Sequence, residues 1–486
     1  MYRDELRADT SSHVGAKCLE ERPVSPLPWI QVAPDAPYFM TEEGEAWAPV
    51  GQNDAITWPE LSGLFRRRDL ATAEAYLQLL AAHGVTCIRL MLEYVQVRHR
   101  FFERPLGRPV PAMVALWDDL FALCERYGVR ILLTPFDTFW MWRRWRWHPY
   151  NSENGGVLAH PSRILLCEKS REAIKARLTF AVERWGGSGV LFAWDLWNEI
   201  HPGQAEESAD GFGEFIHDLS QHVRRLEQRL YGRSHPQTVS LFGPELIWRP
   251  HMPLAEPIFR HPDLDFASIH IYEEGTIDFP RDTVAPALAM GKIVRGALGQ
   301  ILDNRPFMDS EHGPIHSFKD HHITLPEVFD DEYFRRMQWA HLAAGGAGGG
   351  MRWPNRHPHS LTMGMRKAQQ RMATFLPLID WTCFRRVNLN SEVRCPPGIS
   401  SCACGDDAQF LGWLLDTQQR TRSLNPAELR IEVPGLRAGR YRFTILDTAS
   451  GRIEERADII HDGAAMLPLP IPGFSGECAI ALRRLG

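Results

Sequence analysis

Hydrophobic positions along the chain fall into two regimes. In the first, short apolar runs at 48–52, 85–92, 130–136, 191–197, 238–242, 266–271, 306–310 and 348–353 alternate with stretches of helical period. The runs are nearly continuous rather than alternating. Strands of a parallel sheet covered on both faces read this way, because neither side of the pleat meets water. Between them Leu70, Ala73, Leu77 and Leu80 recur at helical spacing, as do Met113, Leu116, Leu120, Leu123 and Tyr127. Gly84 and Gly128 follow these stretches, where a left-handed residue stops a helix. Eight such units predict a (β/α)8 TIM barrel, whose loops at the C-terminal strand ends converge on one mouth. The fifth unit is the weakest, since 244–265 is rich in proline and shows no clean helix. Glycines crowd 345–350 before the eighth run with no lysine-bearing helix after them, so close packing at the barrel bottom is expected rather than a phosphate cradle.

Beyond about residue 375 the pattern changes to short alternating strands at 410–415, 429–433, 441–446 and 478–482, separated by turn pairs such as Asn425-Pro426 and Pro434-Gly435. That spacing predicts a C-terminal all-β sandwich domain. The expected organisation is an N-terminal extension over 1–37, the barrel over 38–378 and the β-sandwich over 379–486.

Composition narrows the function classes. With 44% hydrophobic and 23% charged residues the chain can bury a core, which excludes a disordered protein. No apolar run approaches the ~20 residues of a bilayer span, so no membrane partner is expected. A net charge of −6 provides no basic surface for nucleic acid. The N-terminus is charged and has no apolar signal-peptide core, so a cytoplasmic location is expected, or secretion if a leader has been removed. Nine cysteines, an odd number and mostly single in apolar segments, read as reduced thiols. Cys395, Cys402 and Cys404 lack the spacing of a zinc turn and read as thiols of a loop. Sixteen Trp, 24 Phe and 10 Tyr offer many flat faces, which suits sugar or aromatic ligands.

Candidate chemistry lies at the strand ends. The fourth run continues into Trp197-Asn198-Glu199, and the seventh into Asp309-Ser310-Glu311. Strands four and seven face each other across a barrel mouth. Two opposed carboxylates are what glycosidic cleavage requires, one to protonate the leaving oxygen and one to attack carbon 1 or activate water. Asp195 lies four residues before Glu199, about 13 Å deeper at ~3.3 Å per residue, and is expected in the barrel floor. Asp309 is expected to be a structural partner.

Further strand ends carry Arg89 in Cys87-Ile-Arg-Leu, His270 and Tyr272 in Ser268-Ile-His-Ile-Tyr, and Trp353 after the eighth run. In this order the residues resemble clan A of the retaining β-glycoside hydrolases, most nearly family 5, the cellulases and mannanases. The resemblance spans about 38–356. It implies Glu199 as acid/base, Glu311 as nucleophile, and Asn198 on the sugar 2-hydroxyl. It further implies Arg89, His270 and Tyr272 around the nucleophile, and Trp353 as a platform under the sugar being cleaved. An oligo- or polysaccharide of β-glucan or β-mannan type would be the substrate, with no metal and no organic cofactor. The sequence departs from the family at Ile200, where proline is usual, and at the end of strand three, where Asp137 closes a run that commonly ends in histidine.

The segment 139–147 holds four Trp and three Arg in nine residues after strand three. It is expected either to contact substrate or to be a loop anchored by its indoles. Two rival functions remain at this stage. A non-catalytic carbohydrate-binding barrel would have no need of both Glu199 and Glu311. A metal-dependent barrel hydrolase needs His-x-His ending strand one, where Gly51-Gln52-Asn53 stands, and His321-His322 has no partners at ligand spacing.

Overall fold

The computed structural model describes residues 26–97, 100–274, 278–315, 324–356, 359–418, 429–474 and 476–485. Cys18, His321 and His322 lie outside them. Eight parallel strands form the central sheet: β1 (Gly51–Asp54), β2 (Cys87–Met91), β3 (Arg130–Thr134), β4 (Leu191–Asp195), β5 (in two pieces, Gln237–Thr238 and Ser240–Phe242), β6 (Ala267–Glu274), β7 (Phe307–Ile315) and β8 (Met351–Arg352). Each pairs with the next, and β8 returns to β1 through Met351 opposite Gly51. The two pieces of β5 complete the ring, the first against β4 and the second against β6. Every residue of β1 to β4 is buried, which explains their unbroken apolar character.

The helices are α1 (Leu70–Ala82), α2 (Pro111–Tyr127), α3 (Thr138–Arg144), α4 (Glu168–Trp185), α5 (Phe212–Tyr231), α6 (Glu245–Trp248), α7 (Ala255–Phe259), α8 (Val284–Gln300), α9 (Glu327–Ala343) and α10 (Met363–Phe375). α1 and α2 bury the predicted positions Ala73, Leu77 and Leu80, and Met113, Leu116, Leu120 and Leu123, while Leu70 is exposed at the helix start. Gly84 and Gly128 stand just beyond them at φ of 70° and 71°. The proline-rich fifth unit forms only the short α6 and α7. None of the described helices is long and apolar enough to cross a membrane.

The N-terminal end of the barrel is closed. A three-stranded antiparallel sheet (Ile30–Val32, Phe39–Thr41, Ala46–Trp47), which straddles residue 38, presses Phe39 and Trp47 onto Phe192 at the base of β4, with ring centroids 4.9 and 4.6 Å apart. Phe266, just before β6, completes the cluster. At Gly348 (φ 72°) an added Cβ would lie 2.0 Å from the Pro49 carbonyl oxygen, so the glycine-rich approach to β8 does serve close packing.

The C-terminal region forms a six-stranded sheet faced by the antiparallel pair Arg430–Pro434 and Met466–Pro470, around its own core of Phe410, Ile431, Phe443 and Ile480. It docks on the barrel helices partly through Arg335 of α9, whose Nε meets buried Glu477 at 2.6 Å. Cys402 and Cys404 lie on the strand Ile399–Gly405 as buried free thiols, not in a loop as expected, because this stretch pairs along its whole length with Gln409–Asp416.

Candidate active site

Arg89, 1% exposed on β2, ties the strand ends together. Its Nη1 donates to Asn53 Oδ1 on β1 (2.9 Å) and to Glu311 Oε2 on β7 (3.0 Å). Its Nη2 donates to Asp195 Oδ2 on β4 (2.7 Å) and to Asn198 Oδ1 (2.5 Å). Ser240 of β5 donates its Oγ to Asp195 Oδ2 at 2.9 Å, so the fully buried Asp195 is the floor of the site. A buried guanidinium is tolerated only when its donors are met by charged and polar acceptors, and here they are.

Glu311 reaches the mouth through a bulge. The β6–β7 register runs Ile269 opposite Asp309 and then His270 opposite Glu311, with Ser310 left over. Such an insertion re-aims a side chain. Both Glu311 oxygens are then held, Oε2 by Arg89 and Oε1 by the Tyr272 hydroxyl at 2.6 Å. Burial pushes this carboxyl above its ordinary range. His270, Arg89 and Tyr272 pull it back, while the neighbouring Glu199 raises it. Asp309 stays fully buried, bonded to His312 Nδ1 at 2.7 Å.

Glu199 follows β4 in the left-handed region, at φ 51°. A non-glycine residue there costs about 1–3 kcal/mol and is typical of functional sites. The turn is held from β5: Glu199 N donates to Ser240 Oγ (3.3 Å) and Ile200 N to the Ser240 carbonyl (3.0 Å). Ile200 therefore supplies an N–H that proline would lack. Burial pushes the Glu199 carboxyl up to about 7, against Arg89 and His201 and with Asp195 and Glu245.

His270 Nδ1 lies 2.8 Å from Glu199 Oε1 and 3.7 Å from Glu311 Oε2. It therefore pairs first with Glu199, rather than only with the nucleophile network as expected. Burial holds its ring at about 4, neutral at neutral pH, and its Nε2 is buried without a partner among the described residues. One oxygen of Glu199, one of Glu311 and a His270 ring nitrogen lie within 4.8 Å of one another.

Asn198 is clamped. Its Oδ1 accepts from Arg89, and its Nδ2 donates to Asp137 Oδ1 at 2.6 Å. Asp137, at the end of β3, also accepts from Trp140 N (2.7 Å) and Phe139 N (3.3 Å), capping α3. Burial pushes its carboxyl up to about 7, and Glu199 adds to the rise. Trp353 is half-buried, meeting Trp58 edge-on (5.2 Å) and Tyr94 at a tilt (5.9 Å). Buried Arg352 steadies it, donating from Nε to the Trp353 carbonyl (2.9 Å) and from Nη2 to Asp330 (2.6 Å).

The Trp/Arg segment is split by the fold. Trp145 donates to the Ala159 carbonyl (2.9 Å) and stacks on His148, and Arg144 donates to the carbonyls of Val95 and Gln96. Phe139 and Trp142 remain 38% and 36% exposed. The expected anchoring is thus met by Trp145 and Arg144, while Phe139 and Trp142 are left open to solvent.

The structure adds three residues that sequence reasoning passed over. Asn53 lies on β1, Ser240 lies in the weak fifth unit, and Asp137 registered only as a departure from the family. Their signal was the same as that of the chosen residues, a polar side chain at a strand end. Glu199, His270 and Glu311 have the donor types of a metal site. However, both Glu311 oxygens are already occupied, and the Arg89 guanidinium 3.0 Å away opposes a cation. The set suits proton transfer better.

No protein-family model matches the chain, and no curated protein matches it. A glycoside hydrolase family 5 structure from Bacteroides vulgatus ATCC 8482 is similar with a TM-score of 0.63, over 94% of this chain and 95% of that one, at 10% identity. The chain has the fold of a family 5 glycoside hydrolase. A family 5 mannosidase from Rhizomucor miehei is similar at a TM-score of 0.51 and 14% identity, over 72% of this chain and 98% of its own. An exo-beta-1,4-mannosidase from Opitutaceae bacterium strain TAV5 gives 0.51 at 17% identity, over 70% and 61%. At these identities the similarity is one of fold, and it includes the C-terminal β region in the first case.

Proposed function

We propose that the protein is a retaining β-glycoside hydrolase. The observation that carries this is the approach of Glu199 and Glu311 to within 4.8 Å, with Arg89 and Tyr272 on one and neutral His270 on the other. Retaining enzymes hold their carboxyl groups about 5–5.5 Å apart, whereas inverting ones leave about 6.5–9.5 Å for a water.

The environments suit different tasks. Glu199, pushed up to about 7, keeps a proton to give near neutrality. Glu311 has a cation and a hydroxyl to stabilise its anion. In the first step Glu311 attacks carbon 1 as Glu199 protonates the departing oxygen, leaving a glycosyl ester on Glu311. In the second, Glu199 takes a proton from water, which attacks carbon 1 and frees Glu311. Asn198, its amide fixed by Arg89 and Asp137, presents its second Nδ2–H to the sugar 2-hydroxyl. Trp353 supplies the platform.

β-Mannosides and β-glucosides are the first substrates to try, given the mannosidases among the similar folds. The test is hydrolysis of defined β-linked oligosaccharides with the released anomer followed by NMR. Retention is expected, and a 2-fluoro glycoside should label Glu311 covalently. Net inversion would overturn the nucleophile role, and an absence of turnover across the panel would leave a binding barrel instead.

A further inference from the structure

Charge is unevenly divided around the barrel mouth. The loops after β1, β2 and β3 (55–69, 92–110 and 135–167) hold eleven arginines against six carboxylates, a net of +5 in a chain of net −6. Those after β4, β5 and β6 (196–211, 243–254 and 275–283) hold seven carboxylates against two arginines, a net of −5. Some of the arginines are spent on structure: Arg67 meets Asp119, Arg163 meets Glu206, and Arg144 binds carbonyls. Arg143 and Arg146 are not. Both are exposed and make no ion pair among the described residues, their guanidinium groups lying 4.8 Å from the Phe139 ring centre and 5.8 Å from that of Trp147.

Ring contacts join this exposed face to the site. Trp353 touches Tyr94 (5.9 Å), Tyr94 touches Trp140 (5.4 Å), and Trp140 touches Phe139 (5.1 Å). A chain of ring contacts thus links the proposed sugar platform, through buried Tyr94, to α3, where Phe139 and Trp142 stand open. Exposed aromatic rings one helical turn apart, with planar guanidinium forks at their side, match a ring that is flat on one face and carries a carboxylate at its edge. Guanidinium recognises carboxylate bidentately, and it does so better than any other cationic side chain.

We infer that α3 and the turn Trp145–Trp147 form a subsite for a uronic-acid unit of the β-glycan, with Phe139 and Trp142 against sugar rings and Arg143 and Arg146 on the carboxylate. The inference rests on the glycosidase reading and deepens it, making the substrate an acidic rather than a neutral β-glycan. The opposed negative rim beyond β4 and β6 disfavours an acidic unit there, so the carboxylate-bearing end of the chain lies over β3.

The test is calorimetric binding to the Glu311→Ala protein, using β-1,4-linked hexamannuronate against mannohexaose and hexaglucuronate against cellohexaose. At about 20 mM salt the uronate chains should bind at least about fivefold more tightly, and the margin should close at about 300 mM, as exposed ion pairs are worth little and are screened. Adding Arg143→Gln and Arg146→Gln should bring the uronate chain down to the affinity of its neutral counterpart. Phe139→Ala with Trp142→Ala should weaken the uronate chain several-fold, with the thermal melt confirming a folded protein. Equal affinity for acidic and neutral chains would overturn the inference. So would a preference that survives the double arginine change, or equal binding of sulfated cellohexaose, which would mean unselective anion attraction. Hydrolysis by wild type is read separately. Turnover of neutral chains without acidic preference sinks the subsite alone, whereas acidic preference with no turnover of any chain sinks the glycosidase reading alone.

Discussion

Asp137 accepts the Nδ2–H of Asn198 at 2.6 Å, across the ends of β3 and β4. With Arg89 on Oδ1, this bond decides which way the amide faces. The same carboxylate caps α3, so the orientation of the Asn198 amide, proposed above to meet the sugar, and the placement of the aromatic helix depend on one residue. Asp137→Ala should lower kcat/KM about tenfold or more on substrates bearing a 2-hydroxyl, in the range seen when an orienting partner is lost. The 2-deoxy analogues should suffer much less. Lost capping should also cost about 1 kcal/mol in urea unfolding. An equal loss on both kinds of substrate would make Asp137 merely structural.

The two glutamates predict the shape of the pH profile. In the proposed mechanism Glu199 must carry a proton, so kcat/KM should fall as pH rises through about 7. Glu311 must be ionised, and its raised carboxyl places the acid limb above the ordinary 4.5. The Tyr272 hydroxyl favours the charged form of Glu311. Tyr272→Phe should therefore move the acid limb upward in pH and leave the alkaline limb in place, as measured by kcat/KM across pH 4 to 9, roughly the span of the two carboxyl titrations.

Glu199 should trade stability for function. Its φ of 51° suits glycine, and its buried carboxyl titrates higher in the folded chain than in the unfolded one. Such a group is harmless below its unfolded value of 4.5 and costs stability as pH rises through about 7. Glu199→Gly should abolish turnover yet raise the melting temperature, and the gain should be larger at about pH 8 than at about pH 5. A gain independent of pH would assign the effect to backbone strain alone.

Arg89 is the reverse case. Removing it leaves Asp195 fully buried and Glu311 nearly so, with their charges uncompensated. Arg89→Leu should destabilise the barrel by about 3–5 kcal/mol, read from the urea midpoint.

Much of the fold was legible because burial on both faces of a parallel strand leaves a continuous apolar run, and because a left-handed glycine ends a helix wherever it stands. Gly84 and Gly128 are local facts, as is the polar residue that closes each strand. The strand limits were less legible. β1 runs 51–54 rather than 48–52, and β7 extends to 315, because ladder pairing continues through polar residues that the apolar pattern excludes.

The sequence by itself determined which side chains stand at the barrel mouth: Arg89, Asn198, Glu199, His270, Tyr272, Glu311 and Trp353, one or more from each contributing strand end. Only the tertiary structure decided their pairings. That His270 faces Glu199 and that Asp137 holds Asn198 follow from ring closure and from sheet register. The indoles of 140–147 were likewise sorted into anchors and open faces by neighbours such as Ala159 and His148. Local periodicity records how much of a residue meets water. It carries no information on which distant residue, brought alongside by sheet register, will take its hydrogen bond.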